Sequence, residues 1–203
     1  MRGPAKGKGA RPTGLRIVAG EWRGRKLSTP EGDATRPTAD RTREALFSML
    51  TSRLGSFDDL FVADLFAGSG ALGLEALSRG AGRALFVEQD ASAIRALRAN
   101  IAALRAQARC DVRATSVLSL PKGSEQPDLI MMDPPYGTGA GAVALDRLNR
   151  LGWISPSAWI SIETAKDEEV KVKGFDVETS RDSGKARIHL LRLSTGSVEP
   201  ETE

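Results

Sequence analysis

The sequence predicts an α/β protein: a mostly parallel, seven-stranded sheet with helices on both faces. Three observations lead there. Continuous apolar runs, such as Leu60–Asp64, Ala84–Glu88 and Asp128–Asp133, alternate with amphipathic helical stretches. Runs without polar alternation belong to strands buried on both faces, and parallel sheets are built of these. The chain closes on two consecutive strand-like segments, Phe175–Ser180 and Ala186–Leu193, joined by Arg181-Asp-Ser-Gly-Lys185, which read as an antiparallel hairpin.

In chain order, residues 1–13 read as a disordered basic tail, rich in Gly and Pro. Residues 14–35 read as an N-terminal extension. In it Leu15–Ala19 and Arg25–Ser28 pair as a small β-hairpin, with Trp22 near the tip of the turn Gly20–Gly24. Residues 36–195 form the main domain. Thr38–Leu50 reads as a helix with Leu46, Met49 and Leu50 on its apolar face and Thr38 or Asp40 as its cap. Strand Leu60–Asp64 leads through a glycine loop into helix Ala71–Ser78, stopped by Gly80. After Ala84–Glu88, Ser92 is placed to cap a helix marked by Ile94, Leu97, Ile101 and Leu104. Asp111–Val117 is a weaker third strand and Asp128–Asp133 the fourth. A helix over Val143–Leu151, a fifth strand Trp159–Glu163 and the hairpin complete the fold, and the last ten residues read as frayed.

Composition narrows the chemistry. The 203 residues suit one domain. No apolar run approaches the ~18 residues of a membrane span, and the N-terminus has no secretory apolar core. A cytoplasmic protein without a membrane partner is expected, and a monomer. With one Cys and one His, no metal site is expected. Cys110 reads as a small filler, His189 as a packed or surface residue, and Trp153 and Trp159 as core or rim. Charge is uneven. Residues 1–43 hold eleven Lys and Arg against four Asp and Glu, whereas the remainder holds eighteen against twenty-two. A basic N-terminal part suits a polyanionic partner, and equally a solubilising tail.

Two motifs carry the chemistry. In Asp64-Leu-Phe-Ala-Gly68-Ser-Gly70-Ala-Leu-Gly73 a strand ends in an acid and turns through glycines into a helix. Gly68 and Gly70 let backbone approach a ligand. Glu88 ends the next strand, where an acid accepts ribose hydroxyls. Dinucleotide sites share this geometry. However, an acidic pocket repels a pyrophosphate and suits a cationic sulfonium, which points to S-adenosylmethionine with Asp64, Phe66, Gly68, Ser69, Gly70 and Glu88 around it. Asp133-Pro134-Pro135-Tyr136 follows the fourth strand. The prolines fix the backbone and remove donors. The Asp133 carboxylate and the Pro134 carbonyl then hold both hydrogens of an amino group and aim its lone pair at a methyl donor. Tyr136 offers a face on which a base stacks, once that base has left its own stack. Asp133 therefore faces both the cofactor and the acceptor. The sheet with its closing hairpin is then the arrangement of Rossmann-like methyltransferases. A bare proline turn and a structural glycine turn are the alternatives for the two motifs.

Taken together, Arg16-Ile-Val-Ala-Gly-Glu-Trp-Arg-Gly-Arg-Lys-Leu27, Arg36-Pro-Thr-Ala-Asp-Arg-Thr-Arg-Glu-Ala-Leu-Phe47, the segment Asp64–Arg79 and Asp133–Tyr136 resemble the bacterial RsmD-type 16S rRNA guanine-N2 methyltransferase family. The resemblance spans about residues 15–193. It implies methylation of one guanine N2 in 16S rRNA, presented on the small ribosomal subunit or an assembly intermediate. It also implies that Arg36, Thr38 and Arg41 line the methionine end of the cofactor. Thr115 and Ser116 stand where the family often has an Asn-Ala pair, so the contact to the adenine stays open. Arg16, Trp22, Arg23, Arg25 and Lys26 are expected to contact rRNA. A DNA amino-methyltransferase shares Asp-Pro-Pro-Tyr, but this chain has little room for a sequence-reading domain. A protein-glutamine methyltransferase usually carries Asn at the position of Asp133. An RNA-binding assembly factor on a dead fold would show a broken glycine loop or a lost Asp133.

Overall fold

A computed structural model describes residues 14–30 and 37–194. The elements run α1 (Pro37–Leu54), β1 (Phe61–Leu65), α2 (Ala71–Ser78), β2 (Arg83–Glu88), α3 (Ala91–Leu104), β3 (Cys110–Ala114), β4 (Leu129–Met132), α4 (Ala140–Arg150), β5 (Trp159–Ala165), β6 (Phe175–Ser183) and β7 (Ala186–Leu193). Seven strands form one sheet in the order β3-β2-β1-β4-β5-β7-β6. The sheet is mixed, which corrects the expectation of a mostly parallel one. β3 to β5 pair in parallel, and β7 pairs antiparallel with both β5 and β6.

Two apolar layers cover the sheet because alternate strand residues face opposite ways. Val62, Ala84, Phe86, Leu129 and Met131 pack with Leu46, Phe47 and Leu50 of α1, Leu74 and Leu77 of α2, and Leu97, Ile101 and Leu104 of α3. Ala63, Leu65, Leu85, Val87, Ile130 and Met132 pack with Ala144, Leu145 and Leu148 of α4. β4 is buried at every residue, while β6, the edge strand, is mostly exposed.

Several boundaries move. α1 begins at Pro37 and runs to Leu54, with Asp40 in its first turn rather than at its cap. Proline suits that opening because its missing N–H has no intrahelical acceptor there. Asp90, not Ser92, caps α3, its carboxylate accepting from Ala93 N at 2.8 Å. β3 stops at Ala114, where Ser116 opens a short 3-10 turn over Val117–Ser119. α4 starts at Ala140, and β5 continues to Ala165. The β6–β7 turn tightens to Gly184-Lys185, with Gly184 at φ 63° and Ser183 opposite Ala186.

The N-terminal extension folds back on itself without forming two regular strands. One antiparallel bridge joins Arg16 to Lys26, and Ile17 N bonds Arg25 O, Gly24 N bonds Ile17 O and Leu27 N bonds Leu15 O, each at 2.9 Å. The segment lies on α2 and α3, with Leu15, Ile17, Trp22 and Leu27 buried in the same apolar layer as those helices. Glu75, wholly buried on α2, accepts from Val18 N at 2.7 Å and Ala19 N at 3.0 Å. Gly20 sits at φ 81° against the Ser78 carbonyl, so close that a Cβ would overlap it. The tail, residues 1–13, and the chain end, residues 195–203, lie outside the described residues, as does Arg36.

Candidate active site

The strand order reverses between β1 and β4, and in open α/β sheets the crevice at such a point, beyond the carboxyl ends of the strands, receives ligands. Leu65 pairs with Met132, and Met132 with Ile162. Asp133, the next residue, therefore emerges between Phe66 and Glu163. Asp64 and Glu88 end neighbouring strands beside it, and the charges of Asp133 and Glu88 both reach Asp64 and raise its pKa.

Asp64 is buried, and its carboxylate accepts from Gly73 N at 2.8 Å. Gly70 occupies the cap position of α2 at φ 78° and has no side chain to cap with. Asp64 thus caps the helix from the end of β1, accepting the N–H of its third residue. Burial pushes the Asp64 carboxyl well above the usual range, against the opposing hydrogen bond from Gly73.

The glycines divide the work. Gly68, at φ 54°, has open space where a Cβ would lie, so backbone is presented to the crevice. Gly70 and Gly73 face the core: their Cβ atoms would come within 2.3 Å of Leu97 Cδ1 and Phe86 Cε1 respectively. Packing against Leu97 therefore requires glycine at position 70. Ser69 gives its carbonyl to Asn100 Nδ2 at 2.9 Å. Phe66 takes φ 63° and packs, half-buried, on the α4 side.

Glu88 accepts three backbone N–H groups: Gly68 N at 2.8 Å on one oxygen, and Gln89 N at 2.7 Å and Asp90 N at 2.8 Å on the other. Of its roughly four acceptor positions, about one remains. A ribose diol needing two acceptors would displace one of these N–H groups.

The Asp133–Tyr136 turn is held from three sides. Pro134 is buried, and Gly141 on α4 leaves room for its ring, since a Cβ there would stand 3.1 Å from Pro134 Cγ. Thr138 Oγ1 donates to the Pro135 carbonyl at 2.7 Å. Glu168 accepts from Gly137 N at 3.0 Å. Asp133 is exposed, and Tyr136 stands 47% exposed with its hydroxyl donating to Glu163. Burial first, then that hydrogen bond, push the Tyr136 phenol far up, so it stays a donor. Burial raises the Glu163 carboxyl too, opposed by the same bond.

Other expected residues lie nearby or elsewhere. Glu88 pairs with Ala114, so Thr115 and Ser116 follow directly at the same edge, with Ser116 Oγ accepting from Leu118 N. Thr38 is on the first turn of α1, and Arg41 is exposed on the next. The Thr42–Ser183 contact at 3.0 Å puts that end of α1 on the carboxyl side of β5. The basic turn is at the other end of the molecule. Glu21 N bonds the carbonyl of Ser78, which ends α2, and Arg25 Nη2 bonds Ala103 O near the end of α3 at 2.7 Å. Arg23, Arg25 and Lys26 are exposed there, and Arg16 is half-buried. Trp22 is buried beneath Arg109, whose guanidinium lies 4.7 Å from its ring centre. Its ring is thus a packing element, not the exposed RNA contact expected. Cys110 opens β3 at the amino edge, away from the site, and burial pushes its thiol up to about 12. His189 is packed on β7 between Ser180 Oγ and Thr164 Oγ1.

Sequence reasoning missed Asn100, Glu163 and Glu168. Asn100 was detectable as the one amide within the apolar stripe Leu97–Leu104. It binds Ser28 N and O as well as Ser69 O, joining the extension to the glycine loop. Glu163 was detectable as a fourth acid at a strand end. Glu168 lies in a charged loop that carries no periodic signal.

Comparison with known proteins agrees with this architecture. Over 150 residues the chain is 38% identical to Ribosomal RNA small subunit methyltransferase D of Escherichia coli K12, covering 74% of each chain. The solved structure of Escherichia coli yhhF superposes with a TM-score of 0.77 at 34% identity, covering 90% of this chain and 99% of that one. A magnesium protoporphyrin IX methyltransferase from Synechocystis with bound SAM shares the fold alone, at 14% identity and a TM-score of 0.62, over 80% of this chain and 87% of that one. No described helix is long and apolar enough to cross a membrane. The family described as conserved hypothetical protein 95 matches residues 15–192, from the extension to the last strand, and the chain belongs to it, the RsmD-type family that its motifs resemble.

Proposed function

We propose that this protein transfers a methyl group from S-adenosylmethionine to the exocyclic N2 of a guanine in small-subunit rRNA. The observation that carries the reading is the placement of Asp133-Pro134-Pro135-Tyr136 at the switch point, beside Asp64 and Glu88. The name of the 38% identical relative supports the acceptor class.

The residues fit the cofactor. Open space at Gly68, a strand-end carboxylate at Glu88 and a cluster of three acids suit a ribose and a sulfonium cation. Glu88 would hold the ribose, the Gly68–Ser69 backbone would line the amino-acid portion with Thr38 and Arg41, and Thr115 and Ser116 would flank the adenine. When bound, S-adenosylmethionine supplies an electrophilic methyl on sulfur.

The chain's own residues orient the acceptor. The Asp133 carboxylate and the Pro134 carbonyl accept the two N2 hydrogens. That fixes the lone pair in line and draws electron density toward the nitrogen as positive charge develops. The Tyr136 ring, steered by Glu163, stacks on the flipped base. One amino proton must leave, and the exposed Asp133 carboxylate can pass it to water.

Labelled methyl donor with purified protein and small subunits should place N2-methylguanosine in the RNA, read by nucleoside mass spectrometry. Label that never enters small-subunit RNA, from protein that binds the donor, overturns the substrate. Asp133→Ala should keep donor affinity and lose transfer by roughly a hundredfold or more, the scale of a lost transition-state contact. Retained turnover would remove Asp133 from the mechanism.

A further inference from the structure

The outer face of α3 carries a stripe of cations that neither the fold nor the proposed site uses. Arg95, Arg98 and Arg105 are all exposed: at 100° per residue Arg95 and Arg98 lie about 60° apart on the helix surface, and Arg105, at φ 56°, is the residue that ends the helix. From Arg95 to its last residue, Leu104, the helix rises about 13 Å. α3, Ala-Ser-Ala-Ile-Arg-Ala-Leu-Arg-Ala-Asn-Ile-Ala-Ala-Leu, contains no acid. The stripe continues onto the N-terminal extension, because Arg25 docks its guanidinium on the Ala103 carbonyl at the end of α3. Arg23 and Lys26 are exposed on the same turn.

Among the described residues none of these six cations has a carboxylate within ion-pair distance, whereas neighbouring cations do: Arg109 pairs with Glu21 at 3.0 Å and Arg113 with Asp111 at 3.2 Å. The nearby Asp90 is engaged in capping α3. Unpaired like charges on one face repel each other, and the arrangement gains when a polyanion covers it. The stripe starts one turn beyond Glu88 and Asp90 at the ligand edge and ends at the amino edge. A chain of phosphates can follow it away from a base held at Asp133.

We infer that the outer face of α3, continuous with the turn Arg23–Lys26, is the track on which the phosphodiester backbone of the RNA lies. The inference rests on the proposed function for its choice of polyanion. It adds Arg95, Arg98 and Arg105, which the sequence motifs did not single out. Arginines on a rigid helix and at its end give several charge-assisted contacts without reading sequence.

The test compares the wild type with R95A/R98A/R105A, with the charge-preserving R95K/R98K/R105K, and with R147A/R150A, whose two arginines lie exposed on α4 across the sheet. Binding to protein-free 16S rRNA and to a short RNA duplex is measured over a salt series. Methylation of small subunits gives KM and kcat, and thermal unfolding and donor affinity report the fold. The triple alanine variant should lower the slope of log K against log salt by about 2, at ~0.7–0.9 per phosphate contact. It should raise the RNA KM about tenfold or more while kcat and donor affinity hold. The lysine variant should restore most of the slope and the α4 variant leave it unchanged. A triple alanine variant with wild-type slope and KM, in a wild type that does methylate, overturns the track and leaves the proposed function standing. An equal fall in the α4 variant overturns it too, because the field would then be diffuse. If the wild type methylates no small-subunit RNA, the proposed function falls, and the duplex slopes still decide the track.

Discussion

Asp64 shows how one carboxylate serves both helix and site. It caps α2 through Gly73 N, and it is the most buried of the three acids at the strand ends. Burial raises its pKa in the folded protein above the unfolded value of ~3.9. Over the interval above that value the folded state binds more protons than the unfolded one, so stability is lost as pH rises through the folded pKa. Asp64→Asn keeps an oxygen acceptor for Gly73 N and removes the charge. The variant should match or exceed the wild type in urea midpoint at about pH 8, with a flatter midpoint-against-pH curve above ~4. Its donor affinity should drop, since a sulfonium loses a counter-charge. A parallel pair of curves would show that burial of this carboxylate costs the fold nothing. At Tyr136 the ring and the hydroxyl separate cleanly. Tyr136→Phe keeps the stacking face and loses only the tether to Glu163, whereas Tyr136→Ala loses both. The alanine variant should forfeit ~1–3 kcal/mol of stacking, read as RNA KM, and the phenylalanine variant distinctly less. Equal losses would move the role from the ring to the hydroxyl.

At the scale of elements, α2 joins the extension to the site. Its helix start is held by Asp64, and its buried face carries Glu75, which binds Val18 N, Ala19 N and the Arg79 side chain at 2.9 Å, with Arg43 Nε at 3.9 Å. A wholly buried acid inside Ala-Leu-Gly-Leu-Glu-Ala-Leu-Ser is costly unless paired, and here every pairing reaches another element or the next turn. Glu75→Gln removes the carboxylate that pairs with Arg79 at 2.9 Å and leaves buried Arg43 with Asp40 alone, and should destabilise by about 3 kcal/mol, measured in a denaturant titration. A loss under ~1 kcal/mol would mean that the hydrogen bonds alone hold the extension. The same helix marks what sequence could and could not convey. The strands and their terminal acids were legible, because a doubly buried strand is a continuous apolar run and its end is where polarity returns. The sequence reading did not say where the extension packs, and it put Trp22 outside the core. Leu15 and Ile17 alternate as a strand does, but nothing local said which surface their apolar face meets. Trp22, flanked by charges in a glycine turn, has the sequence of an exposed tip, and only tertiary packing under Arg109 makes it core. Asn100 and Glu75 declare themselves as lone polar residues in apolar stripes, but the partners that tie them to the extension are more than fifty residues away in sequence and cannot be inferred from spacing.

The whole molecule is organised by the direction of its parallel strands. Their carboxyl ends gather the acids Asp64, Glu88, Asp133 and Glu163, and the amino edge beyond α2 and α3 gathers Arg23, Arg25, Lys26 and Arg105. The extension crosses from one edge to the other. Ser28 is tied through Asn100 to the glycine loop, and Gly20–Trp22 are tied to Ser78 at the foot of α2. An appended RNA arm with a boundary near residue 35 would be separable, and these contacts argue that it is not. Burying a large apolar side chain stabilises by ~1.5–3 kcal/mol, so Leu15, Ile17, Trp22 and Leu27 together supply roughly 6–12 kcal/mol as an upper bound. That is comparable with the whole stability of a domain, about 5–15 kcal/mol. A chain beginning at residue 31 would also strand Glu75 without two of its donors. It should show no cooperative unfolding transition and little near-UV circular dichroism, and donor binding should disappear with RNA binding. A truncated chain that unfolds at the wild-type midpoint, binds the donor normally and fails only with RNA would instead make the extension the detachable arm that its charge alone suggests.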